Sequence, residues 1–161
     1  MKKRLEGRQT TMFMTYPYVL SEDVSGTALA WEGEMANAFS FIASCGYKGI
    51  ELLVHQPGVV ETRRLSGLLK ENGLHAVALG TGLLEKRYGL TLVHQKEYIR
   101  KEAVLKMKRI IDIADKLEAS VVIGRFRGRW KHLGNLDLAE SYFHKALEQL
   151  LPYAQKRNVS L

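Results

Sequence analysis

The sequence predicts an α/β fold built on a parallel sheet, and three observations carry that reading. Short apolar runs follow directly on the ends of helical patterns, first at Gly46-YKGIELLVH and again at Asn72-Gly73-LHAVALGTG, Ala119-SVVIGRFRG and Arg157-Asn158-VSL. The segments between them carry apolar residues at helical spacing, so strand and helix alternate along the chain, the signature of serial β/α units. With 161 residues, 46% hydrophobic and 25% charged, the chain can bury one core and is short for two domains.

The elements follow in order. Residues 1–9 are polar and basic and read as an arm; no aromatic residue is interleaved to stack on bases. Thr10 to Leu20 has strand composition, and Pro17 is expected to mark its end. After a polar loop over Ser21 to Gly33, Met35, Phe39, Ile42 and Ala43 recur at helical spacing and the pattern stops at Gly46, suited to a left-handed helix end. Tyr47 to His55 is the second strand. Alternation puts Ile50, Leu52 and Val54 on an apolar face toward the helices, and Gly49, Glu51, Leu53 and His55 on a partly polar interior face. Glu51 and His55 are then roughly 13 Å apart, too far to share an ion.

Val59 to Asn72 is a helix with Leu65, Leu68 and Leu69 on one face. The third strand, Leu74 to Leu79, ends in Gly80-Thr81-Gly82, which opens a loop to about Gln95, longer than an ordinary βα connection and a candidate lid or binding loop. Lys96 to Leu117 is the clearest helix, its stripe formed by Ile99, Ala103, Met107, Ile110, Ala114 and Leu117. Ser120 to Arg125 is the fourth strand, followed by the basic, aromatic string GRFRGRWKH. Asp137 and Glu140 have capping-box spacing ahead of a last helix, which Pro152 should kink or end, and Val159 begins a fifth apolar run.

Composition narrows the function classes. No run reaches the eighteen or so apolar residues of a membrane span, and the basic start is not followed by a signal-like segment. The single cysteine, Cys45, cannot form an intrachain disulfide and reads as a small packing residue in a reducing, cytoplasmic compartment. The net charge of +7 favours an anionic ligand, either a phosphorylated small molecule or a nucleic acid.

In residues 35–161 the chain resembles the xylose isomerase-like TIM-barrel superfamily of sugar phosphate isomerases and epimerases and endonuclease IV-like proteins. The resemblance is carried by CGYKGIEL, GLHAVALGTG, Arg100 followed by IIDIADKLEA and VVIGRFRG, and PYAQKRNVSL. It implies a partial (β/α)8 TIM barrel over residues 10–161, with strands 1 to 4, their helices and the start of strand 5. In the family a divalent metal (Mn, Mg, Co or Zn) is held by carboxylates and a histidine on strands five to eight. The chain stops ahead of the first of these, so no metal or catalytic residue carries over, and no cofactor is expected in this chain alone.

Barrel enzymes expose their chemistry at the carboxyl ends of the strands, which selects three substrate-binding candidates. His55 closes the second strand. Thr81 lies between two glycines that would allow close ligand approach, an ordinary turn being the alternative. Arg125, at the end of the fourth strand, is suited to a phosphate, whereas Arg127 and Arg129 read as solvated or paired on the surface. Glu51 reads as a structural interior carboxylate and Arg100 as the structural partner of a nearby carboxylate. His75, His94, His132 and His144 have no metal-site spacing, and His75 starts a strand at the opposite, stability end of the barrel. The expected function is a sugar or sugar-phosphate isomerase or epimerase-like protein, inactive alone, which binds a small sugar or sugar phosphate and self-associates through open sheet edges. An endonuclease IV-like repair protein and a non-catalytic barrel remnant are the alternatives; the lack of a histidine array at the strand ends argues against nucleic acid.

Overall fold

The computed structural model describes residues 14–20 and 30–161. The basic arm, the start of the first strand and most of the following loop lie outside the described residues. Four parallel strands, β1 (Thr15–Val19), β2 (Gly49–Leu53), β3 (His75–Gly80) and β4 (Ser120–Val122), form one sheet in the order β1-β2-β3-β4. Five helices accompany them: α1 (Met35–Ser44), α2 (Thr62–Glu71), α3 (Gly82–Tyr88), α4 (Glu97–Leu117) and α5 (Leu136–Gln155). Strand order equal to chain order, with a helix in every crossover, is the arrangement of a (β/α)8 barrel through its fourth strand.

The helix-side face of β2 is the centre of the core. Ile50, Leu52 and Val54 are fully buried, packed with Phe39 and Ile42 of α1, Leu65 and Leu69 of α2, and Met107, Ile110 and Ile111 of α4. The alternation expected for β2 therefore holds, with Glu51 and Leu53 only half-buried on the other face. Between β2 and β3 the register slips: Ile50 pairs with Ala76 but Glu51 with Ala78, leaving Val77 over as a bulge. The slip sets Ala78 and Gly80 beside Glu51 and Leu53.

Several local expectations change. Pro17 lies inside β1, on the strand's outer edge, where its missing N–H costs no ladder bond. Part of that edge is already closed, because Trp31 donates to the Pro17 carbonyl at 2.9 Å and accepts from Val19 N–H at 3.0 Å. Cys45 is exposed, since it is the end residue of α1 and falls on the solvent side of the last turn. The supposed long loop over 80–95 contains α3, whose Leu84 reaches the main core. β4 stops at Val122 because Gly124 takes a positive φ of 48° and the chain winds into a 3-10 turn over Gly124–Arg127. The N-cap of α5 is Asn135, whose side chain accepts from Leu138 N–H at 3.0 Å, so Asp137 and Glu140 form no capping box. Pro152 is accommodated inside α5, which runs on to Gln155.

The fifth apolar run is in place: Val159 is buried, and the Ser160 carbonyl accepts Val121 N–H at 2.8 Å on the free edge of β4. Among the described residues no helix is long and apolar enough to cross a membrane.

Candidate functional site at the carboxyl ends of the strands

The three candidate residues are not brought to one point; each is instead tied to α3, the short helix that follows β3. Glycines bound this helix, Gly82 at its start and Gly89 in the left-handed conformation (φ 63°) at its end. Leu84 is fully buried in the main core, and Leu83 packs with Val19 and Leu53 on the other face of the sheet. The helix thus straddles the sheet's carboxyl edge and roofs the interior side.

Thr81 precedes α3 and is 1% exposed. Its hydroxyl shares its proton between the carbonyls of Val122 and Ile123, each at 2.9 Å, and its N–H reaches Val122 O at 3.3 Å. The side chain is a clamp between the ends of β3 and β4, and its proton is already engaged.

Arg125 lies on the 3-10 turn beyond β4, and its Nη2 pairs with Glu85 Oε2 of α3 at 3.1 Å. The guanidinium remains more than half exposed. It sits at the carboxyl end as expected, but beyond the strand and already partnered.

His55 lies two residues past the end of β2, so strand alternation no longer directs it. It is 1% exposed, and its ring is stacked with Tyr88 of α3, centroids 6.2 Å apart and planes 13° from parallel. Both rings line a cavity of about 450 Å³ with Gln56, Glu102 and Lys106. The Gln56 side-chain amide donates to the Tyr88 hydroxyl at 3.2 Å, and Glu102 and Lys106 pair at 3.5 Å.

Glu51 faces the interior side, over Gly80. A β-carbon at position 80 would stand 3.0 Å from Glu51 Oε1 and 2.7 Å from Leu53 Cδ2. Glycine there is what gives the carboxylate its place.

Comparison with known proteins supplies the frame for this geometry. The family model described as a xylose isomerase-like TIM barrel matches residues 39–161. The chain belongs to that family. No curated protein matches the sequence. Among solved structures, D-allulose 3-epimerase from Methylomonas sp. superposes with a TM-score of 0.63 at 19% identity, over 92% of this chain and 52% of the other. D-psicose 3-epimerase from Clostridium cellulolyticum H10 gives 0.64 at 14% identity, over 92% and 50%. The 3-keto-D-glucoside 4-epimerase from E. coli gives 0.61 at 16%, over 77% and 48%. At these identities the likeness is one of fold, and the chain spans about half the length of the structures it matches.

In the xylose isomerase-like frame, His55, Thr81, Arg125 and α3 all belong to the catalytic end of the barrel. The metal that the family implies does not fit the residues present: among the described residues no three His, Cys, Asp or Glu side chains are grouped to hold an ion.

The remaining histidines are dispersed. His94 Nδ1 accepts Lys96 N–H at 3.0 Å, and burial, with help from nearby Lys96, Arg100 and His132, holds its pKa below the ordinary value. His75 begins β3 and is exposed at the amino end of the sheet. Arg100 braces a loop instead of a carboxylate, donating to the carbonyls of His94 and Gln95 and lying 3.7 Å above the Tyr142 ring.

Sequence reasoning missed Glu85 and Tyr88. Their spacing of three within a segment bounded by Gly82 and Gly89 was the available signal for a short helix presenting both on one side.

Proposed function

We propose that this chain forms the substrate-side surface of a sugar or sugar-phosphate isomerase or epimerase acting in the cytoplasm. The observation that carries the reading is the family's strand order combined with polar residues at three strand ends, His55, Thr81 and Arg125, each adjoining α3. Two of the fold relatives named above are 3-epimerases of one ketohexose, D-allulose, also called D-psicose, a small polyol whose recognition needs hydrogen-bond acceptors and donors in a walled site.

Here Glu51, on the interior face, is the acceptor for sugar hydroxyls, and Gly80 keeps its carboxylate clear of a side chain that would displace it. Thr81 holds β3 against β4 and so fixes the floor. His55 and Tyr88 form the wall behind. Arg125 gives up an exposed ion pair with Glu85, worth at most about 1 kcal/mol, to meet an anionic substituent. The exposed thiol of Cys45 fits a reducing compartment. Self-association belongs to the same proposal: Val77 and Val122 are exposed apolar residues on the sheet, while Trp31 already blocks part of the β1 edge.

Calorimetric titration with D-fructose and D-allulose, against D-sorbitol as a control lacking the carbonyl, tests the proposal. Binding of both ketoses in preference to sorbitol, weakened in Glu51→Gln, is the expected result. Equal heats for all three, or ketose binding unchanged in Glu51→Gln, would refute it.

A further inference from the structure

A second cavity, of about 620 Å³, lies between the chain following β4 and the first half of α5, and it shares no lining residue with the His55 cavity. Its volume is that of a small-molecule site. Arg127, Arg129, Lys131 and Trp130 line one wall; Glu140 and His144 of α5 line the other.

The wall is anchored. Phe126 is fully buried, and the Phe126 and Arg127 carbonyls accept from Leu92 and Val93 N–H, both at 3.0 Å. Gly128 then turns the chain with a φ of 93°, a position where a β-carbon would meet Val93 O at 2.7 Å. A sequence that alternates cations is thereby folded so that they border one hollow.

The charge of this hollow is unbalanced. Arg64, Lys101, Lys106, Arg125 and Arg157 all have carboxylate partners. Among the described residues Arg127, Arg129 and Lys131 have none, and Glu140 is the one carboxylate in the lining. Three cations against one carboxylate leave the lining net positive, which raises the local potential and favours a bound anion. Trp130 stands among them with half its surface exposed (48%), an apolar face on which the C–H side of a ring can lie.

We infer that this cavity is a binding site for a phosphorylated sugar. Arg127, Arg129 and Lys131 hold the phosphate through charge-assisted hydrogen bonds, the Trp130 face takes the sugar ring, and Glu140 accepts from its hydroxyls. The inference stands on this cluster alone and does not depend on the ketose surface under α3.

The test is a fluorescence titration of the full chain at low salt with D-fructose 6-phosphate, D-fructose and inorganic phosphate. Of the two tryptophans, Trp31 is packed against Phe41, and a Trp130→Phe variant assigns the signal. The expected result is saturable quenching by the sugar phosphate, weaker competition by inorganic phosphate and no response to D-fructose. The Arg127→Ala/Arg129→Ala variant, which alters only exposed side chains and should melt like the parent, should bind at least about tenfold more weakly, the factor for one lost charged contact. Absence of saturable quenching, quenching that persists in Trp130→Phe, or equal affinity in the double variant would overturn the site. Inorganic phosphate binding as tightly as the sugar phosphate would overturn the ring contact. Abasic duplex DNA displacing the sugar phosphate at lower concentration, with a steep salt dependence, would overturn the assignment to a sugar and give the cluster to nucleic acid.

Discussion

Val121 donates its N–H to the carbonyl of Ser160 at 2.8 Å, which brings the chain at Ser160 to the free edge of β4. Asn158 makes the approach possible by taking the left-handed conformation, φ 56°. Asn158→Val, a β-branched residue in that conformation, should therefore cost about 1–2 kcal/mol, while Asn158→Gly should cost little. Urea denaturation reads the first effect. Amide exchange at Val121 reads the pairing itself: it should be slow in the parent and faster in Asn158→Val, and surface-like exchange in the parent would contradict the pairing.

Thr81 separates a clamp from a ligand contact. Removing its hydroxyl in Thr81→Val takes one donor from each of two part-buried carbonyls, which keep their backbone donors Thr81 N–H and Phe126 N–H, and should lower stability by about 0.5–1.5 kcal/mol. Thr81→Ser keeps the donor and should recover most of it. A Thr81→Val protein as stable as the parent, measured by denaturant titration, would show that the hydroxyl does not hold β3 to β4.

Two glycines rank by what their β-carbons would strike. At Gly80 the nearest atoms are ends of flexible side chains, Leu53 Cδ2 and Glu51 Oε1, so Gly80→Ala should cost about 1 kcal/mol. At Gly128 the obstacle is the Val93 backbone carbonyl, and the φ of 93° is itself unfavourable, so Gly128→Ala should cost about 2–4 kcal/mol. The reverse order in thermal denaturation would mean that the hollow beside Trp130 has a different floor.

His94 gives the fold a dependence on pH. Its folded pKa lies below the ordinary value of 6.5, chiefly through burial, so the unfolded chain binds the proton more readily. Its contribution is complete above about pH 6.5 and is lost as pH falls through the folded pKa. Protonation also removes the acceptor for Lys96 N–H at the start of α4. The melting temperature should fall on acidification below about pH 6.5, and less steeply in His94→Ala. Parallel profiles for the two proteins would exclude His94 as the source.

Much of the sheet was legible from residues 46–55 and 96–122, because fully buried strands and long amphipathic helices repeat their pattern often enough to be read. α3 was not, since two turns between glycines give periodicity no room and its helical state depends on Leu83 and Leu84 docking to opposite faces of the sheet. The position of Arg125 was legible to within the end of β4, but its partner Glu85 is forty residues away in sequence. His55 was read as the last residue of the second strand, but the strand ends at Leu53 and alternation no longer directs the ring, which stacks with Tyr88. Arg127 and Arg129 were read as surface side chains; that they share one lining with Trp130 and Lys131 depends on Gly124 and Gly128, whose positive φ values replace a straight strand with a turn, and on α5, which closes the other wall.

The central claim, that a ketose is recognised on the interior side of the strand ends under α3, is tested most directly by a heteronuclear NMR titration of the chain with D-fructose. The account predicts saturable shifts concentrated at Glu51, Gly80, Tyr88 and Arg125, with the amino-end residues Gly73 and His75 unmoved. Shifts confined to the amino end of the sheet, or none at saturating ketose, would contradict it.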